Sequence, residues 1–199
     1  MNKLKRKTKG NVRYLFIDTE TTGLSPLKNE VIEIGILVTS ANTKNIIDEL
    51  EIKIWPFLER VSKTSAKING FWDRIDEWVR EGLNQKQALD RLLEFWKTHC
   101  RSYKYYMVCH DATFDMGFLQ ALFIKNNIDF RKFKARRVFD TVSMARAHKF
   151  KILSGDKLLQ YAGFDKEEKP HKALNGAYKT FRIYNWIMDF SLSNEKNIE

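Results

Sequence analysis

Tyr14, Leu15, Phe16 and Ile17 form an uninterrupted apolar run that stops at Asp18. A strand that is apolar on both sides of its pleat must be covered on both faces, so this run predicts the central strand of a layered α/β domain. Residues 31–38 alternate more clearly, with Glu33 and Gly35 between Ile32, Ile34 and Ile36, and residues 46–54 alternate again until Pro56 ends the pattern. Three strands in succession predict an antiparallel meander. Between residues 85 and 99, Ala88, Leu89, Leu92, Leu93 and Trp96 recur at spacings of three and four, which is one face of a helix. Residues 105–109 return to strand, and 114–127 are helical by the same test through Phe114, Phe118, Leu119, Leu122 and Phe123.

Val138 and Phe139 suit a short strand. Asp140 or Thr141 can cap a helix through His148, Ser154 or Asp156 another through Ala162, and Pro170 is placed to open a long one through about Phe190. The order predicts a single α/β domain with a mixed sheet, without internal repeats or a Pro-, Gly- or Ser-rich linker. Residues 1–10, with Lys3, Lys5, Arg6, Lys7 and Lys9, read as a basic flexible arm, 11–190 as the folded domain and 191–199 as a polar tail.

Composition narrows the class. With 199 residues, 43% hydrophobic, 13% aromatic, 9 Gly and 3 Pro, the chain is neither collagen-like nor disordered and can bury a core. No apolar run reaches the roughly 18 residues of a membrane span, and the basic start lacks a secretory apolar segment, so an intracellular, non-membrane location is expected. Cys100 and Cys109 have neither metal-ligand spacing nor the context of a disulfide framework. The 35 Lys and Arg against 25 Asp and Glu give a net charge of +10, which suits a polyanionic partner and equally a well-solvated basic surface. The same two readings apply to the basic residues between Arg131 and Lys151 and around His171.

The chemistry concentrates in carboxylates. In Asp18-Thr19-Glu20-Thr21-Thr22-Gly23, Asp18 and Glu20 are two apart in a strand, so both side chains leave the same face, at the edge of the sheet. Like charges this close call for a cation, and oxygen ligands suit Mg²⁺ or Mn²⁺; the alternative is a strand end running into a Thr-Thr-Gly turn. In His110-Asp111-Ala112-Thr113-Phe114-Asp115, Asp115 faces the apolar side of its own helix, either beside a cation or satisfied by backbone N–H groups of the first turn. His171 follows Pro170 and is either a general base or an exposed loop histidine.

Together these segments resemble the DEDDh family of 3'-to-5' exonucleases, the proofreading, epsilon-subunit-like group of the ribonuclease H-like superfamily. The first motif matches in full. The second matches apart from Asp111, where Asn is common. The third, usually His-x-Ala-x-x-Asp-Ala, reads His171-Lys172-Ala173-Leu174-Asn175-Gly176-Ala177.

The resemblance implies a five-stranded mixed sheet flanked by helices and a metal-dependent exonuclease acting on single-stranded DNA or RNA 3' ends. Asp18, Glu20 and Asp115 would hold two divalent cations, Mg²⁺ or Mn²⁺, and His171 would be the base. Thr21, Leu24, His110 and Phe114 would meet the terminal nucleotide, with Leu24 wedged against its base. A DNA polymerase is an expected partner. The departure is Gly176, where the family has its fourth carboxylate. An engineered inactivation, a natural loss of catalysis, or replacement by Asn175 or another nearby group would each account for it. The competing expectation is a catalytically inactive nucleic-acid-binding or polymerase-associated module of the same fold; a third is a purely structural partner protein.

Overall fold

The computed structural model describes residues 12–40, 44–151 and 153–195. The basic segment 1–10 and the last four residues lie outside them. The strands β1 (Val12–Thr21), β2 (Val31–Thr39) and β3 (Ile46–Lys53) form the expected antiparallel meander, and β4 (Lys104–Cys109) and β5 (Val138–Asp140) add to the other side of β1 in parallel. The sheet order is β3-β2-β1-β4-β5, which puts β1 in the middle.

The alternation of side chains along β1 divides the core. Leu15 and Ile17 point to one face, where they pack with Ile34, Ile36 and Met107 against α3 (Gln85–Cys100) and α4 (Ala112–Lys125). Phe16 points to the other and packs with Leu37, Val108, Ala177 and Tyr184, the last two from α7 (Ala173–Glu195). Both faces are thus covered, as the apolar run requires.

Two helices follow β3 that the periodicity did not reveal, α1 (Lys63–Asn69) and α2 (Ile75–Glu81). Each has seven residues, too few for a stripe to repeat, and the signals for α1 are its ends. Ser62 caps it by accepting the Ser65 N–H, and Gly70 closes it at φ 64°. Beyond β5, α5 (Thr141–Ala147) is capped by Asp140, and α6 (Gly155–Tyr161) leads to the loop before α7. α7 begins at Ala173 rather than Pro170, so His171 lies before the helix, and it continues through Glu195, past the expected start of a polar tail at 191.

α7 reaches the sheet through small residues. A Cβ added to Gly35 of β2 would overlap the Ala173 carbonyl and the Leu174 nitrogen, so the first turn of α7 rests directly on the backbone there. Backbone cannot yield as a side-chain end does. Gly35→Ala is therefore expected to destabilise the fold by about 3 kcal/mol, near the upper end for overpacking, as read by urea unfolding; an unchanged midpoint would contradict this close approach.

Candidate active site

Asp18 and Glu20 continue the Phe16 side of β1 and face α7, at the C-terminal end of the central strand rather than at the expected edge of the sheet. Thr19 faces the opposite side, and its hydroxyl donates to Asp115 Oδ1 at 2.8 Å. Asp115 is 2% exposed. Its described partner is thus a neighbouring strand, not its own helix. The N-terminus of α4 is served instead by Asp140, whose Oδ1 accepts the Asp111 and Ala112 N–H groups while the same carboxylate caps α5.

The turn after Glu20 is held from several directions. Thr21 Oγ1 donates to the Gly23 carbonyl at 2.7 Å, Asn69 of α1 donates to the Thr21 carbonyl at 3.1 Å, and the Ser62 N–H donates to the Thr22 carbonyl at 2.8 Å. Leu24 projects from this turn at 83% exposure, available to an external group. Phe114 packs on Phe118 with ring centres 4.8 Å apart, and His110 Nδ1 lies 2.8 Å from Thr141 Oγ1.

His171 is fixed through its backbone. Its N–H donates to the Ile68 carbonyl at 3.1 Å, and its carbonyl accepts Arg74 Nη1 at 3.3 Å. Arg74 in turn bonds the fully buried Glu33 at 2.6 Å and Glu77 at 2.8 Å, with Lys53 4.0 Å from Glu33 and 3.4 Å from Glu77. This ionic cluster joins β2, β3 and α2 to the histidine and has no local sequence signature.

Gly176 lies against Asp18. A Cβ added there would sit 2.7 Å from Asp18 Oδ1 and closer still to Cγ and Oδ2, so the carboxylate occupies the room that a side chain would need. The glycine therefore has a local packing consequence that helix propensity alone does not show. Asn175, considered as a replacement for the missing carboxylate, is exposed, and His171 precedes the helix that carries it. Two other groups enter the cluster unannounced by any motif. Lys179, one turn beyond Gly176, forms an ion pair with the buried Glu167 of the α6–α7 loop, and Glu167 Oε2 lies 3.6 Å from His171 Nδ1.

The electrostatics are those of an acidic site short of positive charge. Burial pushes Asp18 up to about 7, with Lys179 opposing and Glu167 and Glu33 adding to the rise. Burial and the neighbouring Asp18 raise both Glu20 and Asp115 well above the carboxylate range. Burial also lowers His110, with the Lys179 charge adding. A carboxylate raised in this way binds protons in the folded protein that the unfolded chain has released. Its stabilising protonation is complete below its ordinary value and is lost as pH climbs through the raised one. In chelator, the melting temperature of Asp18→Asn minus that of wild type is expected to grow from about pH 4 to about pH 7. A difference that shrinks with pH would contradict the raised carboxylate.

The donor set fits hard divalent cations. Asp18, Glu20 and Asp115 offer carboxylate oxygens only, and Glu167 Oε1 is a buried acceptor with no hydrogen bond among the described residues. As the side chains stand, no three Asp, Glu, His or Cys groups among the described residues converge on one ion position. Thr19 holds Asp115, and Lys179 holds Glu167.

A mixed sheet in this order, with carboxylates at the end of its central strand and on α4, is the ribonuclease H-like α/β arrangement. The chain belongs to the RNase T exonuclease family, which matches residues 15–184, and divalent-metal dependence is a property of the DEDDh exonucleases.

Among curated relatives, the DNA polymerase III PolC-type of Thermotoga maritima is 29% identical over 180 residues, covering 89% of this chain. That of Mycoplasmopsis pulmonis is 32% identical over 133 residues, covering 67%. The chain spans only 12% and 8% of these relatives' lengths. Among solved structures, E. coli exonuclease I in complex with an oligonucleotide superposes with a TM-score of 0.76 at 16% identity, covering 90% of this chain and 41% of that one. The nuclease domain of 3'hExo, a DEDDh family member bound to rAMP, gives 0.73 at 21%, covering 90% and 92%. These likenesses bear out the expected fold.

No helix among the described residues is long and apolar enough to cross a membrane.

Proposed function

We propose that this chain is a metal-dependent 3'-to-5' exonuclease module for single-stranded DNA or RNA, with cation affinity weakened by Gly176. The observation that carries the reading is the placement of Asp18 and Glu20 at the end of β1 and of the buried Asp115 in the first turn of α4, all three raised by burial and the latter two also by the Asp18 charge. Asp18, Glu20 and Asp115 would hold two divalent cations, which when bound supply an activated water and neutralise charge on the scissile phosphate. His171 Nδ1 faces Glu167, which leaves Nε2 to take the proton of the attacking water. The water oxygen bonds to phosphorus, the bond from phosphorus to the 3' oxygen breaks, and a 5'-nucleotide leaves. Leu24, on its firmly held turn, is the candidate to stack on the terminal base, with Thr21, His110 and Phe114 lining the approach. Mg²⁺ demands nearly ideal octahedral geometry, so loss of one carboxylate should favour Mn²⁺.

The test uses 5'-labelled DNA and RNA strands with free or blocked 3' ends, in Mn²⁺ or in chelator. Progressive shortening of the free-ended strands in Mn²⁺ alone is expected. Equal digestion of blocked strands would overturn the polarity, and digestion in chelator the metal dependence.

Gly176 and the Lys179 ammonium within the cluster favour a second reading, a nucleic-acid-binding or polymerase-associated module without turnover. Salt-dependent binding of single strands with no shortening in Mn²⁺ would select it.

A further inference from the structure

Gly176 removes one carboxylate from α7, yet a carboxylate outside every motif is buried in the same cluster. Glu167 exposes only 3% of its side chain. Its Oε2 is held by the Lys179 ammonium, while Oε1 accepts no hydrogen bond among the described residues. A buried carboxylate oxygen without a donor is costly, and a cation beside it removes the cost.

Lys179 connects this carboxylate to the vacated position. Three residues beyond Gly176, it leaves nearly the same face of α7. Gly155 gives its stem passage: a Cβ there would lie 3.2 Å from Lys179 Cε and 3.3 Å from His110 Nε2. The charges of both Asp18 and Glu167 act on the Lys179 ammonium, and Glu167 acts on Asp18 and Glu20. The ammonium therefore sits where the acidic cluster concentrates its field.

We propose that Glu167 supplies the oxygen ligand that Gly176 cannot, and that Lys179 is a resident counter-ion which holds Glu167 in the cluster until a divalent cation displaces it. This rests on the metal-site reading above. The cation would then be held by Asp18, Glu20, Asp115 and Glu167, an all-oxygen set suited to Mn²⁺ or Mg²⁺. Binding is a competition with an internal cation, so the ammonium weakens affinity while the carboxylate beside it strengthens it. The two residues have opposite signs.

The test is calorimetric titration of the full chain with Mn²⁺ alone, for wild type, Glu167→Gln, Lys179→Met, Asp18→Asn and Gly176→Asp. Melting in chelator identifies any variant that does not fold. Glu167→Gln is expected to weaken binding by about tenfold or more, and Lys179→Met to tighten it by about tenfold. If Glu167→Gln does not fold, Lys179→Met decides alone, since unchanged or weaker binding overturns the proposal.

Unchanged affinity in Glu167→Gln, with binding lost in Asp18→Asn, would overturn the role of Glu167 and leave the metal site standing. Binding by Gly176→Asp but not by wild type would do the same. Binding in Asp18→Asn equal to wild type, or none in either wild type or Gly176→Asp, would overturn the metal-site reading together with the proposal.

Discussion

Arg74→Met is expected to destabilise the protein by about 3–5 kcal/mol, because it leaves Glu33 buried and charged without its guanidinium. Glu33 is wholly inaccessible and Arg74 is 8% exposed, so water cannot take over the lost contacts. Burial already raises Glu33 despite its bonds to Arg74, and Lys53 at 4.0 Å remains as a weaker partner. Urea unfolding should read the loss, and Glu33→Met combined with Arg74→Met should recover much of it, since an apolar pair need not be neutralised.

The substitution also reaches the site, because Arg74 Nη1 holds the His171 carbonyl at 3.3 Å. Activity at a temperature where the variant is folded should fall as well. Glu77, held down to about 2 chiefly by its hydrogen bond to Arg74, should titrate closer to its ordinary 4.5. A variant as stable as wild type would show that this cluster does not hold β2 and α2 to the segment preceding α7.

Asp18→Asn is expected to move stability and activity in opposite directions. In chelator the amide removes one of three crowded carboxylates, and the melting temperature should rise near neutral pH. On the proposed metal site, the same change removes a cation ligand. Turnover should fall by at least about 100-fold, more than an outer-sphere change would cost. Proteins commonly give up stability at functional sites in this way. A loss of both together would instead mark Asp18 as a structural carboxylate, and a loss of neither would remove it from the site.

The part of this account legible in the sequence is local. The apolar run ending at Asp18 determines a strand covered on both faces, and the period of two along it places Asp18 and Glu20 together and Thr19 opposite. The third motif shows that Gly176 is the departure. Pairings between distant segments leave no comparable trace. Thr19 and Asp115 are 96 residues apart, and Arg74 and the His171 carbonyl 97. Glu167 lies in a loop without periodicity, so neither its burial nor its pairing with Lys179 follows from spacing. The closeness of α7 depends on Gly35 and Gly176 meeting it from different elements, which only the assembled sheet shows.

The central claim is that the carboxylates of β1 and α4 form a cation-dependent nuclease site. The most direct measurement is the single-turnover shortening of a 5'-labelled single strand as Mn²⁺ is titrated, for wild type and Asp18→Asn side by side. Saturable, Mn²⁺-dependent shortening from the 3' end by wild type, and its loss in the variant, is the predicted result. Shortening that persists undiminished in Asp18→Asn, or a wild type that binds the strand and never shortens it at any Mn²⁺ concentration, would contradict the claim.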